Sequence, residues 1–404
     1  MTTSSTQSTS SDQTILVINC GSSSLKFAVI NSQSGEQYIS GLAERLESDD
    51  AQISIKTAEQ KDIISIKNGG HSEALDEILA RLDQHQLLDN ISAVGHRVVH
   101  GGEKFTSSTL ITDEVIQGIK DCNALAPLHN PANLIGIEVS QQKLDNVPHI
   151  AVFDTAFHQS MPAHAYLYPV PYDLYTQYGV RRYGFHGTSH RYVTQALADQ
   201  LNTSPDELCV LTAHLGNGCS AAAIANGQSV DTTMGLTPLE GLMMGTRSGD
   251  VDPSLHHFLC QQMNITIDEV NNILNKKSGL LGLSGLSNDM RTLMEARDQD
   301  NKQAELAIEV FCYRLAKQLA GLATALPRLD GLIFTGGIGE NAAEIRSKVL
   351  SKLKLLGFEE DSQANANART VAKGLITTAT STPAYVVATD EEWMIAKDTA
   401  ELTN

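Results

Sequence analysis

The stretch that most constrains the fold is residues 15–27, which read ILVINCGSSSLKF. It is an apolar run, then a small polar turn, then a second apolar run that continues to Ile30. Two short apolar runs on either side of a glycine-containing turn are typical of a β-hairpin. Gly21 permits a tight bend within that turn. The chain is therefore expected to open with a pair of antiparallel strands.

The turn of this hairpin is suited to phosphate. Its serines, which include Ser22 and Ser24, offer hydroxyls and unhindered backbone N–H groups. Lys26 adds a positive charge, and Asn19 adds an amide oxygen of the kind that Mg²⁺ accepts as a ligand. An ordinary serine-rich turn without a ligand explains the same residues, so this motif needs support from elsewhere in the chain.

The layout of the first hairpin occurs a second time at residues 211–224, which read LTAHLGNGCSAAAI. Gly216 stands five residues after Leu211, as Gly21 stands five residues after Leu16, and an apolar run follows in both places. We interpret the repeat as two related domains that both approach a phosphate. Chance similarity of two glycine-rich turns is the alternative.

Strand-like and helix-like segments alternate along the chain, which predicts an α/β protein. The Asn-Gly pair at 226–227 predicts a hairpin turn after the second copy. Proline-rich residues 160–180 are not expected to form a regular element, and a domain boundary is placed near them. Thr389 and Glu392 have capping-box spacing at the start of the last helix, which would leave Glu391 free to point elsewhere.

Composition excludes several classes of protein. The chain has 404 residues and a net charge of −18, which predicts two or three domains and argues against nucleic acid or an anionic membrane as a partner. No apolar run approaches the roughly 18 residues of a membrane span. Residues 1–13 are polar and are expected to form a disordered tail. The six scattered cysteines favour reduced thiols in a cytoplasmic protein, and the histidine spacing does not favour zinc.

Three further motifs suggest a site for anions. A predicted strand at 331–335 leads into GGIGEN and a helix, where a nucleotide fits, although close packing explains the glycines equally well. Arg247 stands between two glycines in GTRSGD, and Arg97 ends a predicted strand before Gly101. Each arginine could instead belong to a surface ion pair. His129 and His186 lie in loops and could be ordinary hydrogen-bonding residues.

Taken in order, a set of motifs resembles the acetate kinase family. The motifs are INCGSSSLKF, GHRVVHGGE, APLHNP, FDTAFH, RRYGFHGTSH, HLGNG, GTRSGDVDP, SNDMR, FTGGIGEN and TDEE. They extend over almost the whole chain and several are long, so the resemblance is specific. It implies two related α/β domains around a nucleotide cleft, of the RNase H-like type shared by actin, Hsp70 and sugar kinases. It places residues 14–155 with 387–404 in an N-terminal lobe for substrate and Mg²⁺, and 156–386 in a nucleotide-binding lobe.

The resemblance also implies a role for each matching residue. The catalytic residues would be Arg97, Asp154, His186 and Arg247. The residues that would line the path of the phosphates or bind the nucleotide are Lys26, Ser22, Ser24, His214, Leu215, Gly216, Asn217, Gly218, Asp289, Met290, Arg291, Gly337, Ile338, Gly339, Glu340 and Asn341. The substrate would contact Arg97, Val99, Leu128, His129, Phe185 and Pro238. Mg²⁺, or Mn²⁺ in its place, would be held by Asn19 and Glu391.

The reaction implied is ATP + acetate ⇌ ADP + acetyl phosphate, in a cytoplasmic homodimer. A carboxylate is already ionised at pH 7, so the nucleophile needs no general base. Asp154 is therefore expected to organise Mg²⁺ and water more than to take a proton. Three alternatives stay open, namely a kinase for propionate or another short-chain acid, a sugar or polyol kinase, and an actin- or Hsp70-like ATPase module. Val99 favours the shorter acid, because propionate kinases resemble this chain but tend to be smaller there.

Overall fold

The computed structural model describes residues 12–67, 69–127 and 129–404. Most of the predicted N-terminal tail, residues 1–11, and the predicted substrate residue Leu128 lie outside the described residues. The chain divides into two compact units. The first unit contains the described residues up to Ala156 together with Asp390–Asn404, and the second unit is Phe157–Thr389. No helix within the described ranges is both long and apolar enough to cross a membrane.

The first unit is built on an eight-stranded sheet in the order β5-β4-β3-β2-β1-β6-β8-β7. Its strands are β1 Thr14–Gly21, β2 Ser24–Asn31, β3 Gln37–Glu44, β4 Gln52–Thr57, β5 Lys61–Ser65, β6 Ile91–Val98, β7 Thr109–Leu110 and β8 His149–Phe153. Strands β1 and β2 form the antiparallel hairpin predicted for the opening stretch. Strand β6 then pairs parallel with both β1 and β8.

Helices cover both faces of this sheet. They are α1 His71–Gln84, α2 Asp113–Asp121, α3 Asn130–Lys143 and the C-terminal helix Glu391–Thr403. Because side chains alternate along a strand, Leu16 and Ile18 belong to one buried cluster with residues of α1. Ile15 and Val17 belong to another cluster with the C-terminal helix. The sheet is thus buried on both sides, as the nearly continuous apolar run of β1 requires.

The second unit has a five-stranded sheet in the order β11-β10-β9-β12-β13. Its strands are β9 Cys209–Leu215, β10 Cys219–Ala225, β11 Gln228–Thr232, β12 Gly331–Thr335 and β13 Ala384–Val386. Two antiparallel pairings are followed by two parallel ones, the same sequence as in β3-β2-β1-β6-β8 of the first unit. The prediction of two related α/β domains is therefore confirmed.

The helices of the second unit include two that the sequence analysis did not expect. They are α4 Ala163–Tyr166, α5 Tyr172–Tyr178, α6 Gly187–Leu201, α7 Leu255–Met263, α8 Ile267–Lys276, α9 Gly279–Ser284, α10 Met290–Asp298, α11 Lys302–Ala323, α12 Gly336–Asn341, α13 Ala343–Lys352 and α14 Ser362–Ala366. The prediction of no regular element at 160–180 was wrong, because Pro162 and Pro171 immediately precede α4 and α5. Proline interrupts a helix interior but is tolerated at a helix start.

Two helix starts also differ from prediction. The C-terminal helix is capped by Asp390, whose side chain accepts a hydrogen bond from the Trp393 backbone N–H at 2.9 Å. The hydroxyl of Thr389 lies 2.7 Å from that of Ser189 instead, so the capping box was wrong. In the glycine segment after β12, the chain is already helical as α12, and a new helix starts at Ala343.

Candidate active site

A charged cluster lies where β1, β6 and β8 of the first unit end. The carboxyl ends of parallel strands meet at one edge of a sheet, which is where ligands bind in α/β folds. Arg97 on β6 donates from Nε to Oδ1 of Asp154 at 3.0 Å and from Nη2 to Oδ2 at 2.5 Å. Its Nη1 donates to Oδ1 of Asn19 on β1 at 3.3 Å. Three predicted site residues are thus held together by one guanidinium group.

The cluster is electrostatically unbalanced. Burial raises the pKa of the Asp154 carboxyl, Arg97 opposes that rise, and Glu391 adds to it. Burial likewise raises the pKa of the Glu391 carboxyl against the opposing charge of Arg97. For Arg97 burial acts to lower the pKa, but Asp154 and Glu391 outweigh it and the pKa is raised. Two carboxylates, the buried one of Asp154 and the half-buried one of Glu391, lie near one guanidinium group and form a site that favours an added cation.

Lys26 of the predicted phosphate path forms an ion pair with Glu392 on the C-terminal helix. Its side chain is about half exposed, and Ser22 in the hairpin turn is exposed, whereas Ser24 is half-buried. Glu392 therefore pairs with a cation and does not cap its helix. A pair this exposed contributes little to stability, so the ammonium group can exchange Glu392 for another anion at small cost.

The sequence analysis missed the residues of α3 that hold the strand ends in place. Buried Asn133 donates to the Cys20 carbonyl at 2.7 Å and accepts from the Val99 N–H at 3.0 Å, which ties the end of β1 to the end of β6. Helix α3 can approach β1 this closely because residue 136 is a glycine. A Cβ at Gly136 would lie only 2.6 Å from the Cβ of Cys20. The sequence did carry a signal for them, because Asn130 and Asn133 are polar residues in the first turn of a helix that begins with Asn-Pro. Half-buried His129 precedes this helix, next to Leu128 outside the described residues.

In the second unit, two predicted residues meet over Gly218. A Cβ at Gly218 would lie 3.4 Å from Nη2 of Arg247 and 3.5 Å from Nε2 of His186. Arg247 also donates to the carbonyl of Pro238 at 2.7 Å, and burial lowers the pKa of its guanidinium group. The ring of His186 stacks on that of His214, with 4.4 Å between centroids. Buried Phe185 precedes His186 in the chain.

A cavity of about 670 Å³ lies within the second unit, between α10 and the turn into α12. Eight residues predicted to bind the nucleotide line it: Gly216, Asn217, Asp289, Met290, Arg291, Gly337, Ile338 and Asn341. Seven further lining residues were not predicted: Asn288, Met294, Glu295, Asp298, Ala342, Ala343 and Glu344. Residues four positions apart lie on the same face of a helix. This spacing from Met290 along α10 would have predicted Met294 and Asp298.

Some residues predicted for nucleotide binding do not line this cavity. The Glu340 side chain accepts from the N–H groups of Gly336 at 3.1 Å and Thr389 at 3.2 Å, and it lies 3.7 Å from Arg369. Gly339 is buried, and its carbonyl accepts from Arg346 at 2.8 Å. Leu215 is a fully buried residue of β9. The contacts described for Glu340, Gly339 and Leu215 are therefore with other residues of the second unit, which they help to hold together.

Two domains with the same strand order define a class of protein, the actin, Hsp70 and sugar-kinase superfamily that the sequence motifs imply. Within that class, the model of the acetokinase family matches residues 14–397. The acetate kinase of Shewanella sp. (strain W3-18-1) is 53% identical over 397 residues, which cover 98% of this chain and 99% of that protein. This chain therefore belongs to the acetokinase family, as predicted.

Solved structures agree with this assignment. The acetate kinase of Porphyromonas gingivalis superposes with a TM-score of 0.92 at 42% identity, covering 97% of this chain and 100% of that one. A propionate kinase from Francisella tularensis subsp. tularensis SCHU S4 superposes with a TM-score of 0.93 at 45% identity, covering 96% and 100%. The similar structures thus include kinases named for acids of two different lengths.

Proposed function

We propose that this protein transfers the γ-phosphoryl group of ATP reversibly to acetate, forming acetyl phosphate and ADP. The observation that carries the proposal is the family match over residues 14–397, the range in which Arg97, Asp154, Arg247 and His186 lie. The first two are paired and the last two meet over Gly218. A propionate or other short-chain acid kinase is the second candidate, because a propionate kinase is among the similar structures.

The chemistry needs charge neutralisation more than proton transfer. Acetate is ionised at neutral pH, so it attacks without a general base, but it must approach an anionic phosphoryl group. In our proposal Arg97, Arg247 and Lys26 supply the positive charges that offset this repulsion. The contacts of Asp154 support a structural task, because both of its oxygens accept from Arg97. It then orients the guanidinium group and a metal ion, and it does not take a proton.

The residues of the first unit fit a divalent cation. Asn19, Asp154 and Glu391 offer oxygen donors, which Mg²⁺ and Mn²⁺ prefer. Among the described residues there is no group of three or more His, Cys, Asp or Glu side chains that could hold a metal ion by itself. Mg²⁺ does not need one, since it keeps several waters and binds substrate phosphates. When bound, the cation neutralises charge on the phosphate oxygens. Asn19 and Glu391 are the residues proposed to hold it.

The cavity in the second unit is proposed to bind the nucleoside of ATP. Its volume of about 670 Å³ lies in the usual range for small-molecule sites. It is lined by Gly337 of α12 together with Asp289, Met290 and Arg291, a combination of apolar and polar residues. His214, Gly218, Ser22 and Ser24 are proposed for the phosphates. Val99, Leu128, His129, Phe185 and Pro238 are proposed for the acid.

A homodimer in the cytoplasm completes the proposal. None of the residues of α7 is buried, although its sequence LHHFLCQQM contains Phe258 and Met263, which are 57% and 53% exposed. An apolar helix without a buried face suits a second copy of this chain. The six cysteines are free thiols, which agrees with a reducing compartment. Sedimentation of the wild type and of Phe258→Asp tests the dimer, which the variant is expected to weaken.

A coupled assay tests the reaction itself. The purified protein is incubated with ATP, Mg²⁺ and hydroxylamine, and acyl hydroxamate is measured with acetate, propionate or butyrate. We expect the highest kcat/KM with acetate. A higher value with propionate would favour the second candidate. ADP release that needs a sugar, or that needs no acceptor at all, would contradict both and favour a sugar kinase or an ATPase module.

A further inference from the structure

A chain of three short hydrogen bonds leads to His186 from the interior of the second unit. Oγ1 of Thr212 lies 2.7 Å from Nδ1 of His190, and Nε2 of His190 lies 2.7 Å from Oγ of Ser220. Oγ of Ser220 lies 2.9 Å from Nδ1 of His186. Thr212, His190 and Ser220 are all fully buried. This series of hydrogen bonds is thus shielded from water, and it ends on the ring of His186, which is proposed to act in the reaction.

The fold explains why these residues meet. Ser220 on β10 is paired with His214 on β9, and Thr212 lies two residues before His214. Side chains two residues apart on a strand share one face of the sheet. Helix α6 packs on that face and begins just after His186, and His190 lies one turn further along. Residues from two strands and a helix are therefore brought together by the packing of α6.

The number of protons available shows which residue donates in each of these three hydrogen bonds. Burial holds the pKa of His190 well below its usual value, and the nearby rings of His158 and His214 add to this, so His190 is neutral and has one N–H. If that N–H donates to Ser220, Thr212 donates to His190 and Ser220 donates to Nδ1 of His186. Every buried hydroxyl proton then has a short bond.

The opposite assignment of donors and acceptors leaves one buried hydroxyl with a poorer hydrogen bond. Thr212 would then accept from His190, and its own proton would be left with the carbonyl of Ala222 at 3.5 Å. That distance is at the limit of a hydrogen bond, and a buried donor without a good partner costs about 1–3 kcal/mol. The first direction is therefore favoured.

We propose that Ser220 and His190 are positioning residues that hold His186 as a neutral imidazole with its proton on Nε2. Because Nδ1 accepts from Ser220, the remaining ring proton must lie on Nε2, the atom that faces the space above Gly218 beside Arg247. The catalytic consequence rests on the proposed function: His186 donates a hydrogen bond to the transferring phosphoryl group without needing a positive charge.

The groups around His186 fit a neutral ring. His214 stacks on it from β9 at 4.4 Å, and Nδ1 of His214 lies 2.8 Å from the hydroxyl of Ser189. Nη2 of Arg247 lies 3.4 Å, and Nε2 of His186 3.5 Å, from the position that a Cβ at Gly218 would take. A positive charge on His186 would face that guanidinium group at close range. A neutral donor avoids the repulsion and still provides an N–H.

The first test is spectroscopic and needs no reaction. The full-length enzyme is labelled with ¹⁵N-histidine, and long-range ¹H–¹⁵N spectra are recorded from pH 6 to 8, with His186→Gln used to assign the signals. We expect an unprotonated Nδ1 and a protonated Nε2 at His186 across the whole range. A His186 ring protonated at Nδ1, alone or together with Nε2, would overturn the assignment.

The second test compares two buried serines. Ser220→Ala removes the donor to His186, whereas Ser229→Ala removes an equally buried hydroxyl 2.7 Å from Nδ1 of His158 and does not touch the chain. We expect Ser220→Ala to give a mixture of His186 tautomers and to lower kcat by about 10-fold, the value of one hydrogen bond. Ser229→Ala is expected to keep the wild-type tautomer and kcat within about twofold.

Equal losses in both serine variants, with the His186 tautomer unchanged, would overturn the positioning role. The two proposals fail separately. An enzyme that phosphorylates no acid but shows the expected tautomer would contradict the proposed function alone. An active acetate kinase with Nδ1–H at His186 would contradict the further inference alone.

Discussion

Arg97 donates to both carboxylate oxygens of Asp154, at 3.0 Å and 2.5 Å, and the two residues form a bidentate pair at the end of parallel strands. Asp154 is only 1% exposed, so its charge is balanced mainly by this guanidinium group. Removing one member of a buried pair leaves the other uncompensated, which makes the pair sensitive to substitution.

Asp154→Asn is expected to impair the enzyme through Mg²⁺ and Arg97. An amide cannot accept in bidentate fashion from Arg97, and it loses the charge that would orient a cation. We expect the affinity for Mg²⁺ to fall by about 10- to 100-fold, as for other groups that orient a metal site. Mg²⁺ titrations of initial rate measure this, with Glu305→Gln in an exposed ion pair as control. An intact Mg²⁺ affinity together with loss of one ionisation from the pH–rate profile would show that Asp154 is a base.

Arg247→Ala is expected to lower kcat by about 10³-fold or more, the usual cost of losing an arginine that stabilises phosphoryl transfer. The fold is expected to survive, because Arg247 has one protein carbonyl partner, Pro238, and lies in a loop. Steady-state rates and thermal unfolding measure the two effects. Arg328→Ala removes a half-exposed arginine that pairs with Asp330 and donates to the Glu207 carbonyl, and it should leave kcat unchanged. Activity within a few-fold of wild type would remove Arg247 from the mechanism.

Asn133→Ala is expected to destabilise the first unit. The substitution leaves the buried carbonyl of Cys20 and N–H of Val99 without their partner, and each unsatisfied group costs about 1–3 kcal/mol. We expect a loss of about 2–5 kcal/mol in the free energy of unfolding, measured by urea denaturation. Gln142→Ala on the exposed side of α3 is the control. A loss no larger than that of the control would show that Asn133 does not tie β1 to β6.

His158 is expected to make the protein less stable in mild acid. Burial lowers its pKa to about 4, against about 6.5 in the unfolded chain. The unfolded state therefore binds the proton first as pH falls below 6.5, and the stability contributed by the neutral ring is present above 6.5 and lost down to about pH 4. Between pH 7.5 and 5.5 this amounts to about 1 kcal/mol. Urea denaturation of wild type and His158→Asn at both pH values measures it. An identical change in both proteins would contradict the prediction.

Val99→Ala is expected to shift the acid preference toward propionate. Val99 is buried directly after β6, and its N–H donates to Asn133 of α3. Removing two methyl groups makes room for one methylene, which is worth about 1–3 kcal/mol, or roughly 10-fold or more in the ratio of kcat/KM values. The ratio for acetate and propionate is measured in the coupled assay. Val98→Ala, buried one residue earlier, is the control, and an equal shift there would show that the effect is general loosening.

Local patterns in the sequence were sufficient to predict the two hairpins. The run before Gly21 and the run after it form β1 and β2, and Asn226 and Gly227 take the left-handed conformation between β10 and β11. Turn residues and apolar runs act over a few positions, so they can be identified without knowledge of the partners. The same holds for Arg97, which ends a strand and lies at the sheet edge as predicted.

The sequence by itself determined the α/β class, the repeated hairpin and the family, because these depend on local periodicity and on motifs of adjacent residues. The tertiary structure alone decided which partner each side chain takes. Glu392 pairs with Lys26, and the Glu340 carboxylate accepts from the backbone N–H groups of Gly336 and Thr389. Ser220 lies between His190 of α6 and His186, which immediately precedes that helix and stands 34 residues before Ser220 in the chain. Such contacts join distant segments, and their geometry follows from how strands and helices pack, which no local pattern encodes.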